Sequence, residues 1–187
     1  MFARNAIRAC CLAAAPFVVS AACAGEPHVE VTHDAALDAT RIHASMTMAA
    51  PPAAVYSIIS ECERAPAFVP KLASCRITRR DPGGRWDVRI TEFHPIPFIT
   101  IHARTRNSYE PDKRVTFHLL GGDMRVSEGE WRLTPRDNGR ETLVEYDAAF
   151  ALNFAAPRFL IDRTAAADFP TLLRNVERES LARTGQR

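Results

Sequence analysis

Two cysteines, Cys62 and Cys75, bracket the proline-containing stretch ECERAPAFVPKLASCR at residues 61–76. In an oxidising compartment a bridge between them would close a short loop and stabilise the fold by roughly 3 kcal/mol on the chain-entropy model. In a reducing one the pair would pack as small buried hydrophobes. The other groups able to do chemistry are scattered. His94 in FHPIPF, His102 and His118 fall on or beside strand-like stretches, and none forms a close-spaced pair of the HExxH kind, so no metal site is expected. Ser127 lacks the flanking pattern of a nucleophile elbow. Asp123, Glu128 and Glu130 read as a solvated loop and an exposed strand face, and Gly121-Gly122 reads as a break between strands rather than a phosphate cradle. Tyr146 or a histidine would serve as acid or base only if it pointed into a cavity with a displaced pKa. No catalytic residue and no cofactor is assigned.

The compartment is addressed by the first residues, MFARNAIRACCLAAAPFVVSAACAG. Arg4 and Arg8 precede an apolar stretch, Ala9 to Val19, and Ala22-Cys23-Ala24 satisfies the small-x-small cleavage rule, the layout of a signal peptide over residues 1–24. Pro16 interrupts the apolar run, which is shorter than the ~20 residues a membrane span requires. The expectation is a periplasmic protein starting near Gly25. The alternative is a lipoprotein acylated at Cys23, because Ser20-Ala21-Ala22-Cys23 loosely resembles a lipoprotein box. Cleavage after Ala24 would remove Cys10, Cys11 and Cys23 and leave Cys62 and Cys75 as an isolated pair. It would also remove two of the 24 basic residues, balancing the 22 acidic ones; a neutral chain without long runs of one sign argues against a nucleic-acid partner.

The elements that must position these residues are legible from periodicity. Residues 25–40 lack a sustained period and are expected to begin as a loose arm, with the domain proper over 41–187. RIHASMTM, 41–48, alternates as a half-buried strand. Pro51 and Pro52 then open a short helix with Val55, Ile58, Ile59 and Cys62 on one face, and RAPAFVPKL makes a second tight turn. From Ala73 about six strands follow, separated by DPGG, EPDK, Gly121-Gly122-Asp123 and RDNG, the pattern of an antiparallel sheet. After Pro157, Ala165, Phe169, Leu172, Leu173 and Val176 recur at helical spacing, with Pro170 expected to kink or restart the helix near Asp168. The order predicts an α+β fold in which the last helix covers one sheet face.

The stretches PPAAVYSIISECERAPAFVP, VTFHLLGGDMRVSEGEWRLTP and TLVEYDAAFAL, in this order, resemble the START-like (SRPBCC) superfamily, polyketide cyclase/dehydrase and coenzyme Q-binding type, over roughly residues 40 to 183. The resemblance implies a helix-grip fold: a curved antiparallel sheet wrapped around a long C-terminal helix, with two short helices after the first strand and an apolar cavity between sheet and helix. Relatives bind sterols, quinones, other lipids or polyketides. The expected function is therefore an exported, non-catalytic binder or carrier of a hydrophobic small molecule or lipid. An aromatase/cyclase-like enzyme using the same cavity, and an interaction module with a filled core, are the alternatives. On the strand alternation assigned to the inner face, Trp86, Ile90, Ile101, Phe117, Leu119, Trp131, Tyr146 and Phe150 line the cavity, opposed by Phe169 and Leu173 of the helix. Ile96, Phe98 and Phe154, in HPIPFI and FALNFAAP, are expected at its portal, where transient membrane contact would occur.

Overall fold

The structure, a computed structural model, describes residues 25–96 and 98–185. The proposed leader, residues 1–24, lies outside the described residues. The chain forms strands β1 (His28–Asp34) and β2 (Ala39–Met48), helix α1 (Pro52–Ile59), a 3-10 turn (Ala65–Ala67), then β3 (Leu72–Arg80), β4 (Trp86–Ile96), β5 (Ile99–Glu110), β6 (Arg114–Gly122), β7 (Met124–Arg136) and β8 (Glu141–Leu152), and ends in α2 (Arg158–Thr184). All eight strands join one antiparallel sheet in the order β1-β2-β8-β7-β6-β5-β4-β3. The curved sheet with α2 laid across its inner face is the helix-grip architecture. No helix among the described residues is long and apolar enough to cross a membrane.

The segment expected as an arm differs. Within 25–40, residues 28–34 form the edge strand β1, in register with β2 from His28 opposite Ser45 to Asp34 opposite Ala39. Val29 and Val31 pack on the core while His28 and Glu30 face water. A period of two is present there, but over too few residues to stand out from the polar positions around it.

The turns close as their residues dictate. At DPGG the Gly84 amide donates to the Asp81 carbonyl at 2.9 Å, and the Asp81 amide to that of Trp86 at 2.9 Å. At RDNG, Asp137, Asn138 and Gly139 all take positive φ, the conformation for which Asn, Asp and Gly have the least steric cost.

Helix α2 runs unbroken from Arg158 to Thr184 through Pro170, so the expected restart does not occur. Proline at 170 withholds a donor from the carbonyl of Ala166, one turn back. Ala166 is exposed, so water can satisfy that carbonyl and the helix continues. Hydrogen bonds to three separate segments help tie α2 down. Glu177, buried, accepts the Ala49 amide at 2.9 Å; Asn175 donates to the Phe68 carbonyl at 2.9 Å; and Thr40 donates to Asp162 at 2.7 Å. The packed core lies under the C-terminal half of α2, where Leu173 and Val176 meet Val55 and Ile58 of α1. Under the N-terminal half the core is not filled.

Candidate functional site

That unfilled half is a cavity of about 570 Å³, within the range of small-molecule sites. Its roof is one stripe of α2, Ile161, Thr164, Ala165, Asp168, Phe169 and Leu172, the spacing that keeps residues on one helical face. The floor is the inner sheet face.

The floor has two chemically distinct parts. On β6, β7 and β8 it is aromatic. The Tyr146 ring lies 4.6 Å from Trp131, 5.0 Å from Phe169 and 6.2 Å from Phe117 between centroids, and Phe117 lies 6.2 Å from Phe150. Small residues make room for this cluster: Gly129 stands opposite both Phe117 and Ala148, and a Cβ on it would come within 2.4 Å of the Asp147 carbonyl oxygen. On β4 and β5 the floor is mixed: Arg89, Thr91, Thr105 and Asn107 face in together with Phe93, Ile101 and Ala103.

Arg89 is buried beside Asp87, whose carboxylate accepts from its Nε at 3.0 Å. The Arg89 guanidinium also donates to the Ser60 carbonyl and to the Tyr109 hydroxyl, which in turn donates a hydrogen bond to the Asp87 carboxylate at 2.6 Å. The buried charges are thus paired and hydrogen-bonded, the condition for their tolerance inside a protein. Asn107 donates to the Thr105 hydroxyl at 3.2 Å.

The side wall is the stretch between α1 and β3. Cys62 and Cys75 are joined in a disulfide with a Cα separation of 5.3 Å, and Cys75 lines the cavity. The pairing expected in an oxidising compartment is therefore present. Lys71 adopts a left-handed backbone with φ 61°, its carbonyl accepts the His94 amide at 2.8 Å, and its ammonium reaches Asp168 of α2 at 2.9 Å. Glu61 is paired with Arg183. Each charged side chain on the lining therefore has a partner within the protein.

Tyr146 differs. Its side chain is buried, it lines the cavity, and among the described residues its hydroxyl takes part in none of the side-chain hydrogen bonds that tie the strands together. Burial holds its acidity well below that of an ordinary phenol, so the group is a neutral donor.

Of the residues expected to line the cavity, Ile101, Phe117, Trp131, Tyr146, Phe150 and Phe169 do so. Trp86 and Ile90 do not. The inward parity of β4 is that of Asp87, Arg89, Thr91 and Phe93; Trp86 and Ile90 sit on the outer face, Trp86 beneath the Arg106 guanidinium and Ile90 between Arg76 and Arg104 in register. Leu119 has the inward parity but lies where β6 and β7 part, beyond their last paired residues, His118 and Glu128, and it is not on the lining. Leu173 is fully buried in the packed core, and its neighbour Leu172 takes the cavity side.

At the mouth, Phe98 projects wholly into solvent from the β4–β5 hairpin and Phe154 is partly exposed between β8 and α2. The side chain of Ile96 lies outside the described residues. Phe159 and Leu160 in the first turn of α2 are also exposed and had not been anticipated, since they precede the stripe from which the helix was read. The inward polar residues were missed too, although Asp87-Val88-Arg89 and Thr105-Arg106-Asn107 each show a polar pair two residues apart, the spacing of one strand face. The strand histidines stay outside. His94 pairs with Glu92 and His102 with Asp123, whose carboxyl is held below the usual range by the His102 amide and ring. No group of three or more metal-ligating side chains occurs among the described residues.

Solved structures with this architecture include human STARD10, with a TM-score of 0.68 at 13% identity over 86% of this chain and 71% of that one. A STAR-related lipid transfer protein from Xanthomonas axonopodis gives 0.68 at 15% identity over 86% and 96%. The Zhui aromatase/cyclase of a Streptomyces species gives 0.66 at 15% identity over 77% and 94%. At these identities the likeness concerns the fold. No curated protein matches the sequence. The family model for polyketide cyclase/dehydrase and lipid transport matches residues 48–177, spanning α1, the whole aromatic floor and most of α2. With that match over more than half of its length, the chain belongs to the polyketide cyclase/dehydrase and lipid transport family.

Proposed function

We propose that the protein is an exported, non-catalytic carrier of a hydrophobic small molecule or lipid, held between the sheet and α2. The observation that carries this reading is a cavity with an aromatic floor on one side and neutral hydrogen-bonding groups on the other, in which every charged lining group is already engaged. A matching ligand has an apolar body that lies on Phe117, Trp131 and Phe150, and an oxygen acceptor within reach of the Tyr146 hydroxyl or the Asn107 amide. The lipid transfer and aromatase/cyclase neighbours support a hydrophobic cargo in general terms. The charge and apolar layout of residues 1–24, together with the disulfide, supports a periplasmic location with the mature chain starting near Gly25. The lipoprotein form acylated at Cys23 is the alternative. The exposed Phe98, Phe154 and Phe159 support cargo exchange by brief contact of the mouth with a membrane.

Native mass spectrometry of protein from a periplasmic extract, followed by lipid extraction, tests the carrier reading. The expected result is an adduct that solvent removes and that an apolar fluorescent probe replaces. A bare mass together with no uptake of the probe would overturn it.

A second reading, an aromatase/cyclase-like enzyme, is favoured by one feature: the free Tyr146 hydroxyl, placed to donate a hydrogen bond to a carbonyl in the cavity. Turnover of a reactive poly-β-ketone above the buffer rate, abolished in Tyr146→Phe, would establish it.

A further inference from the structure

We infer that the outer face of β3, β4 and β5, on the side of the sheet away from the cavity, is a docking surface for an acidic protein partner. Register places Arg76, Ile90 and Arg104 in one row across these strands, and Arg79, Val88 and Arg106 in the next. Same-face rows are about 7 Å apart along a strand, and second neighbours are about 10 Å apart across a sheet. The four arginines thus mark the corners of a grid over Val88 and Ile90, whose apolar surface the arginine stems cover. Trp86 lies in the following row, its ring centroid 4.5 Å from the Arg106 guanidinium carbon and 6.0 Å from that of Arg79.

What marks these arginines is that four guanidiniums without a carboxylate partner share one patch. Most arginines elsewhere are matched to carboxylates, as Arg41 is to Asp34 and Asp147, Arg114 to Glu110 and Glu130, and Arg132 to Glu130 and Glu145; Arg80, Arg136 and Arg163 are also without an ion pair among the described residues but lie outside the grid. Among the described residues Arg76, Arg79, Arg104 and Arg106 form no ion pair; Arg104 donates only to the Leu120 carbonyl. The carboxylates nearest by register are occupied or distant. Glu92 is paired with His94, Asp123 with His102, and His118 separates Arg106 from Glu128 along the row. Guanidinium forks suit carboxylates in bidentate geometry, and arginine and tryptophan are the residue types that dominate protein interfaces.

Geometry favours a protein over a lipid surface. Arg104 and Arg106 lie six and eight residues along β5 from Phe98 at the mouth, or about 20 and 27 Å of extended strand, well beyond a Debye length of ~8 Å. A membrane touching the mouth does not reach the grid. A protein bound there leaves the mouth free.

The test uses mature protein carrying Trp131→Phe, so that Trp86 is the only tryptophan, titrated with a ten-residue oligoglutamate peptide. The expected result is a saturable change in Trp86 emission that weakens with salt. In Arg104→Gln/Arg106→Gln the affinity should fall about tenfold or more, while Arg136→Gln/Arg163→Gln, which removes the same charge outside the grid, should bind as the parent does. Thermal unfolding checks that each variant is folded, and Arg76→Gln/Arg79→Gln supplies the same test from the other edge if the first pair fails to fold. Absence of peptide binding, an equal loss in the control pair, or binding through the grid only to phosphatidylglycerol vesicles or DNA would each overturn the proposal.

Discussion

Tyr146 and Leu173 show what separates a lining residue from a core residue. Among the described residues the Tyr146 hydroxyl has no hydrogen-bond partner, so Tyr146→Phe removes no such bond from the fold and should leave the thermal midpoint close to the parent value. It removes a donor offered to cargo, and a hydrogen bond of about 1 to 1.5 kcal/mol corresponds to roughly tenfold in affinity. Fluorescence displacement should therefore show weaker binding of a quinone but unchanged binding of a saturated hydrocarbon probe; equal effects on both would mean that the hydroxyl does not meet the ligand. Leu173→Ala empties a completely enclosed site and should destabilise by about 2 to 5 kcal/mol. Phe117→Ala, at a half-buried ring whose neighbours already border open space, should destabilise less in urea unfolding while changing probe binding more. The same burial governs behaviour at high pH. Tyr56, Tyr109 and Tyr146, all the tyrosines of the chain, are held above the ordinary phenol value of 10.0, chiefly by burial. Groups with a raised folded pKa contribute stability that is complete below the unfolded value and is lost as pH climbs past it. Stability should fall as pH rises above about 10, with phenolate absorbance appearing together with unfolding and not ahead of it.

At the scale of elements, the cavity depends on a side wall that has little regular structure to hold it. Between α1 and β3 the chain makes one 3-10 turn, and its position relies on the disulfide, the Asn175 bond to Phe68 and the Lys71–Asp168 pair. Cys62→Ser should lower stability by about 3 kcal/mol under oxidising conditions, and thiol titration of the denatured, unreduced mature protein should detect no free cysteine; two free thiols would leave the pair a packing contact only. The turns, the strand order along the chain and the helical stripe were all legible in sequence, because turn residues and periods of 2 and 3.6 are local properties. Which face of β4 turns inward was not. Alternation separates Trp86, Val88 and Ile90 from Asp87, Arg89 and Thr91, but it does not label the faces, and the apolar set was the natural choice for an interior. The choice fails because the interior here is a cavity wall with its own buried charge network, while the apolar set is covered from outside by arginines. On β6 to β8 the same reasoning holds for Phe117, Trp131, Tyr146 and Phe150, since those strands carry the aromatic cluster of the floor. Leu119 escaped it for a long-range reason, the parting of β6 from β7, which no local pattern records.

For the molecule as a whole, the distribution of exposed apolar surface bears on how cargo enters. Phe98, Phe154, Phe159 and Leu160 come from three segments far apart in sequence, the β4–β5 hairpin, the β8–α2 connection and the first turn of α2, yet Phe154 and Leu160 line the cavity and the other two adjoin lining residues in the chain. Phe98 also has a left-handed backbone, φ 68°, uncommon for a bulky side chain and costly unless its surroundings impose it. Scattered apolar residues on a surface need no explanation; a set gathered around one opening marks a contact site. If that site is a bilayer, transfer should depend on the rim and binding should not. Phe98→Glu/Phe159→Glu places two charges where phospholipid would be met, at positions whose side chains have little packing to lose. The expected outcome is a thermal midpoint within a degree or two of the parent, since exposed substitutions usually change stability by no more than about 0.5 kcal/mol, and an unchanged affinity for a soluble apolar probe. Movement of a fluorescent lipid between donor and acceptor liposomes should slow about tenfold or more, because each buried phenylalanine ring is worth roughly 1.5 to 3 kcal/mol of apolar contact. Transfer at the parental rate would mean that cargo crosses water to reach the cavity and that the aromatic rim serves some other contact.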